Sequence, residues 1–328
     1  MVAAEQGALD DTLSPMISFV ITSRDEDSDL LRRTVDGLRA TSPSAEREIV
    51  VIDDGSVSPV GGLGPDVHLV RNAEPAGVSR ARRQAMAIAR GEVLVCLDAH
   101  MTFDPDWLTR MLDHVESGAL LCGAYGNYER TEVGCYGADF EWVGRRDYES
   151  GLSPGFRPRH RRSDPGPGAH EVPMVLGACY MLLRSSYDAL GGFSPLFRVW
   201  GVDEQDLSAR AWLAGLRVAC VADARVGHLT RAAAPYQVVF DHIEYNQLAF
   251  LLSVFDFRTI DSLLPSFDPL PALVPDWLAE ADVAGWRAMV QRRRRLSDEE
   301  FFHTVVREMA LPNASATLRA ATSIIRNP

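Results

Sequence analysis

Residues 93–100 read Val93-Leu94-Val95-Cys96-Leu97-Asp98-Ala99-His100. Five apolar residues followed at once by an acid, a small residue and a histidine have the pattern of a buried strand that ends at a site. In an extended segment, side chains two apart leave on the same face, which puts Asp98 with His100. A carboxylate oxygen beside an imidazole nitrogen suits a divalent metal, manganese more than magnesium because one ligand is nitrogen. Taken alone, the pair is equally well read as a turn-capping Asp98 and a solvated His100. The surrounding sequence tips the balance.

Upstream, Met16–Thr22 is a β-branched run expected to form a first strand, and Asp29–Arg39 places Leu30, Leu31, Val35 and Leu38 at helical spacing. Glu48–Ile52 is a second strand ending in Asp53-Asp54-Gly55-Ser56, Val67–Val70 a third, and Gly77–Ala89 a helix closed by Gly91. Strands alternating with helices predict an α/β fold with a doubly wound, mostly parallel sheet. Ligands of such sheets bind beyond the carboxyl ends of the strands. Three strands end in polar clusters: Thr22–Asp25, with Thr22 and Arg24 as candidate ligands, Asp53–Ser56, and Asp98–His100. A tight turn at Asp53–Ser56 needs only one acid, so the pair Asp53 and Asp54 is read as a binder of a nucleoside's hydroxyls or base edge. Neither a Gly-x-Gly-x-x-Gly nor a Walker-type loop follows the first strand. Phosphates are therefore assigned to the metal, with Arg80 or Arg82 as helpers or else on a solvated helix face.

Downstream, the Pro/Gly/Arg-rich run Gly155–Gly168 reads as part of a long mobile loop over 150–172, either a lid or a solvated linker. Pro173–Leu183 is a buried strand-like run in which Gly177 marks a close approach. Trp200-Gly-Val-Asp-Glu-Gln-Asp-Leu207 leads into a helix from Asp203 to Leu213. One acid in its first turn serves the helix dipole. Asp203, Glu204 and Asp206 together repel one another, so a general base or a ligand for an acceptor hydroxyl is the sharper reading. Arg217–Val221 is a further strand, and Ala224–Thr230 carries His228, taken as the third ligand that Asp98 and His100 lack.

The chain has 328 residues, enough for one large domain or two, and 46% apolar content is ordinary for a globular protein. Its formal net charge of −12 argues against general nucleic-acid binding. The five cysteines (Cys96, Cys122, Cys135, Cys179, Cys220) sit singly in apolar runs, as reduced core thiols do. Residues 1–15 read as a disordered leader without signal-peptide character. Leu248–Phe255 falls far short of the ~20 apolar residues of a membrane span. A cytoplasmic enzyme is expected.

Four segments resemble one family. These are Arg80-Ala-Arg82 with Gly91–His100, Pro173–Gly177, Trp200–Glu204 with Arg210, and Arg225-Val-Gly-His228. In that order they resemble nucleotide-sugar glycosyltransferases of the GT-A fold, family 2 in general pattern and the polypeptide N-acetylgalactosaminyltransferases more closely, over residues 16–232. The resemblance implies Asp98, His100 and His228 as ligands of Mn2+ (or Mg2+), Asp53 or Asp54 at the uridine of a UDP-sugar, and Gly177 beside the donor sugar. It places Asp203 and Glu204 where such enzymes hold acceptor and sugar hydroxyls or keep a catalytic base, and Trp200 among the residues that bind the donor. The polypeptide transferases have Glu-Asn where this chain has Asp203-Glu204. Inverting relatives have Glu-Asp, with the second acid as base, so Glu204 is the candidate base. The expected division is a nucleotide-binding half over 16–126, an acceptor half over 127–232, and a helical extension over 233–328. That extension builds the acceptor side or an oligomer contact such as a homodimer. The implied activity is sugar transfer from a UDP-sugar to a hydroxyl or thiol of a peptide, natural product or glycan. The competing expectation, a catalytically inactive nucleotide-sugar binding module, has no need of Asp98, His100, His228 and Glu204 together. A nucleotidyltransferase would need a basic glycine-rich loop that Thr22–Asp25 does not supply.

Overall fold

The computed structural model describes residues 15–42, 46–129, 132–147, 149, 152–231 and 234–306. The expected leader (through residue 14), residues 150–151 of the expected loop, and residues 232–233 and 307–328 lie outside the described residues. The first half runs β1 (Ile17–Ser23), α1 (Ser28–Thr41), β2 (Arg47–Asp53), β3 (Val67–Arg71), α2 (Val78–Ile88), β4 (Val93–Leu97), β5 (Met101–Phe103) and α3 (Trp107–Leu112). Strands β6 (Ala119–Asn127), β7 (Val133–Cys135), β8 (Ala138–Val143), β9 (Gly155–His160), β10 (Ala169–Glu171) and β11 (Cys179–Leu183) follow. Then come α4 (Arg184–Leu190), α5 (Asp203–Leu213), β12 (Arg217–His228), α6 (Phe240–Val254), α7 (Phe257–Leu263), α8 (Val274–Glu280), α9 (Val283–Arg293) and α10 (Asp298–Phe301).

The main sheet has the order β10-β12-β6-β11-β4-β1-β2-β3, and β4, β1, β2 and β3 are mutually parallel. Strand β11 runs antiparallel between β4 and β6, and β12 is parallel to β6. Strands β4 and β11 are buried along their whole length, as central strands covered on both faces must be. On one face Leu31, Val35 and Leu38 of α1 join the core of Phe19, Val95 and Trp107; on the other Ala81, Ala85 and Met86 of α2 cover Val20, Leu94 and Tyr180. Asp27 caps α1 by accepting from the backbone of Asp29 and Leu30. The α/β fold with a mostly parallel sheet expected from the sequence is the observed architecture, with β11 as a reversed strand within it.

Three local expectations are corrected. Parts of the expected loop over 150–172 hold regular structure: β9 pairs antiparallel with β8 from Ala138↔His160 to Val143↔Gly155, and β10 pairs with β12. Its arginines do not prevent this, because Arg157, Arg159 and Arg161 are exposed while Phe156 is fully buried. In the segment Pro173–Leu183, only Cys179–Leu183 is strand. The two stretches around 217–228 form one strand, β12, whose register against β6 shifts between Val221 and Arg225.

Helices α6 to α10 pack with the β8–β9 hairpin in a third core. Phe156 is its hub, with ring centroids 5.7 Å from Phe140, 5.0 Å from Trp142, 6.0 Å from Phe255 and 6.2 Å from Phe302. Among the described residues no helix is long and apolar enough to cross a membrane. Phe156→Ala leaves a cavity that this interlocked cluster cannot close, with an expected loss of about 3–5 kcal/mol. Denaturant unfolding checks it: a loss below about 1 kcal/mol would mean that the hairpin is not anchored there.

Candidate active site

The carboxyl ends of β1, β2 and β4 open into a cleft of about 750 Å3. Asp98, His100, His228, Thr22, Arg24, Asp54, Arg82, Gly177, Trp200, Asp203 and Glu204 all line it. Asp98 and His100 do not lie in an extended strand: the chain bends after Leu97, and β5 begins only at Met101. The bend still delivers both side chains to His228, which ends β12 and pairs in register with Met101. Ligand atoms of the three lie within 4.8 Å of one another. His228 Nε2 is 3.2 Å from Asp98 Oδ2 and 3.2 Å from His100 Nε2. Burial raises the Asp98 carboxyl, but the hydrogen bond from His228 and the charges of His228, Arg82 and His100 outweigh it and hold it at about 2.

The groups behind the trio were missed in the sequence. Glu26, one residue past the Thr22–Asp25 cluster, accepts from His100 Nδ1 at 2.7 Å and from Arg231 Nη1 at 3.0 Å. Burial raises this carboxyl too, yet hydrogen bonds from His100 and Arg231 bring it down to about 2. With Nδ1–H donated to Glu26, the lone pair of His100 Nε2 faces the cleft, the arrangement metal-binding histidines use. Arg24 lies 4.8 Å over the Tyr236 ring, and Arg24 Nε and Ser23 Oγ are buried without a hydrogen-bond partner among the described residues.

Arg82 is buried and donates to Glu204 Oε1 at 2.8 Å and to Asp98 Oδ1 at 3.2 Å, so it is committed to two carboxylates. Arg80 is not part of the cleft. It sits two residues along α2, exposed, donates to Pro195 O at 2.9 Å, and lines a separate groove. Asp53 is also turned away: 1% exposed, it is held by Arg71 at 2.5 Å and by the backbone of Ser56 and Val60 at 3.1 Å. Asp54 reaches the cleft wall, where it accepts from Asn72 and from the backbone of Ala76 and Gly77, each at 2.8 Å. Gly177 is a close approach: a Cβ there would lie 2.8 Å from Glu204 Oε1. Of the three acids opening α5, Asp206 is neutralised by Arg210 at 2.5 Å, which leaves Asp203 and Glu204 to the cleft.

Residues 18–191 match the glycosyl transferase family 2 profile. The chain belongs to glycosyl transferase family 2. Residues 158–234 of this family 2 member also match the N-terminal domain of galactosyltransferase. It is 27% identical over 242 residues to human polypeptide N-acetylgalactosaminyltransferase 10, covering 68% of this chain and 39% of that protein. It is 29% identical over 236 residues to human polypeptide N-acetylgalactosaminyltransferase 14, covering 68% and 42%. The chain thus spans about two fifths of the length of these curated relatives. A crystal structure of GalNAc-T7 with UDP, GalNAc and Mn2+ superimposes with a TM-score of 0.67 at 19% identity, covering 90% of this chain and 57% of that one. The fold is the GT-A glycosyltransferase fold.

In this family 2 cleft Asp203 carries an unusual carboxyl. Burial and the adjacent Glu204 charge raise it from an ordinary 3.8 to about 7, only partly opposed by Arg82. Below 3.8 the group is protonated whether the chain is folded or not. Between 3.8 and about 7 the folded protein keeps a proton that the unfolded chain has released, so its contribution to stability falls as pH rises and is lost above about 7. Asp203→Asn removes this dependence. The variant is expected to gain on the parent in urea midpoint between pH 5 and pH 8 (a pH-independent difference counts against the assignment).

Proposed function

We propose that this chain is a metal-dependent glycosyltransferase that moves a sugar from a UDP-sugar to a hydroxyl or thiol of a peptide, a natural product or a glycan. The observation that carries the reading is the convergence of Asp98, His100 and His228 within 4.8 Å at the strand ends, inside a cleft large enough for a nucleotide-sugar. One carboxylate and two imidazoles suit Mn2+, and the fixed orientation of His100 by Glu26 fits that role. Bound there, the ion would neutralise charge developing on the leaving diphosphate. Mn2+ and UDP occupy the GalNAc-T7 complex, which supports carrying both over.

The remaining roles fall to the chain's own groups. Asp54, Thr22 and Arg24 form the nucleoside end, Gly177 lies beside the sugar and lets the Glu204 carboxylate approach its backbone, and Trp200, 49% exposed, forms the outer wall. Residues 16–126 serve the donor and 127–232 the acceptor. Glu204, with Oε1 oriented by Arg82, takes the acceptor proton, and the product sugar has inverted anomeric configuration. The five cysteines are buried and unpaired, which supports a reducing compartment such as the cytoplasm.

Calorimetric titration with Mn2+ in the presence of UDP tests the centre. Asp98→Ala is expected to abolish binding, and Glu26→Gln to weaken it about 10–100-fold while leaving the fold intact. Binding unchanged in both variants would remove the metal from the reading. Given a UDP-sugar and an acceptor hydroxyl, proton NMR of the first-formed product reports the anomer, and a retained configuration would take the base role from Glu204.

A further inference from the structure

The loop that delivers Trp200, Asp203 and Glu204 holds a conformation its residues resist. Val199 (φ 49°) and Val202 (φ 78°) are β-branched residues with left-handed backbone, on either side of Gly201 at φ 97°. Such positions persist only where the surroundings impose them, and they mark functional sites more often than chance. Here two elements do the imposing. From α2, Val78 N donates to Val199 O at 2.8 Å, and Gly77 packs so closely that a Cβ would lie 2.7 Å from Val199 N.

From the other side comes α6, which lies beyond both family-matched segments. Asn246, fully buried, accepts from Arg198 N at 2.8 Å. Its amide nitrogen donates to the carbonyls of Arg198 at 2.8 Å, Trp200 at 3.1 Å and Gly201 at 3.2 Å. Tyr245 adds a bond from its hydroxyl to Leu196 O at 3.2 Å. One side chain thus meets the backbone groups that the left-handed turn leaves without helix or strand partners.

We propose that Asn246 is a positioning residue: it holds the Val199–Val202 turn in its strained form, and so fixes Trp200 and Glu204 opposite the Asp98–His100–His228 trio. The inference rests on the cleft being the transferase site, but the loop geometry is testable without activity. Asn246→Asp keeps the acceptor and loses the donors. Hydrogen exchange read by mass spectrometry on peptides spanning 196–206 is expected to accelerate about tenfold or more. Peptides from β1, β2 and β4, and the affinity for Mn2+, stay as in the parent. Adding Val202→Gly, which adopts positive φ without a Cβ, is expected to restore most of the protection, a coupling that a purely stabilising buried amide would not show. In steady-state assays kcat falls about tenfold or more with KM little changed, and the second substitution recovers part of it. If the aspartate variant does not accumulate, Asn246→Ser serves in the same pair. Unchanged loop exchange, exchange raised across the whole sheet, or no recovery with Val202→Gly each overturn the proposal. Restored loop protection in a chain that transfers no sugar would leave the positioning intact and fault the assigned chemistry instead.

Discussion

The Arg82 guanidinium, 5% exposed, is the constraint around which the cleft is arranged. It joins Asp98 at the exit of β4 to Glu204 at the head of α5. A buried cation is tolerated only when it is paired and hydrogen-bonded, and removing one partner of such a pair typically costs about 3–5 kcal/mol. Both carboxylates are therefore oriented before any ligand arrives. Gly177 follows from the same pairing, since the Glu204 carboxylate that Arg82 holds occupies the space a larger side chain would need. The ring of Tyr180, 5.5 Å below the guanidinium, closes the site from the sheet side.

Much of this was legible in the sequence because it depended on local signals. Buried strands ending in acids and a histidine pointed to the mostly parallel sheet and to the grouping of Asp98, His100 and His228, since apolar runs and the polar residues that stop them are written consecutively. What was illegible depended on packing. Arg80 and Arg82 differ by two positions on one helix, which is about 200° around its axis at 3.6 residues per turn, and only the neighbours decide which faces the cleft. Asp53 and Asp54 are adjacent acids, yet Arg71 from the neighbouring strand claims the first. The β8–β9 hairpin escaped notice because Pro158 and four arginines mask a pattern that pairing with β8 reveals. Asn246 lies in an apolar helix and carries no motif, so its role is visible only from the carbonyls around it.

The C-terminal helices are tied to the site by more than proximity. Gln247 accepts from Phe156 N at 3.0 Å and donates to Phe156 O at 2.7 Å, so adjacent residues of α6 hold the hairpin with one side chain and the tryptophan loop with the other. The side chain of Glu244, one turn earlier, is buried against Arg146 and extends the same helix's hold to the end of β8.

The reversed strand β11 has a consequence for how this fold can diversify. Because β4 is read towards the cleft and β11 away from it, Asp98 is reached on leaving one strand and Gly177–Ala178 just before entering its neighbour, with the backbone of Asp98 bonded to Ala178 O at 3.1 Å. The two walls are thus contiguous in space while belonging to separate connections. Insertions ahead of β11 can remodel the cleft wall at Gly177–Ala178 without altering the spacing between the carboxylate and the imidazole on the other.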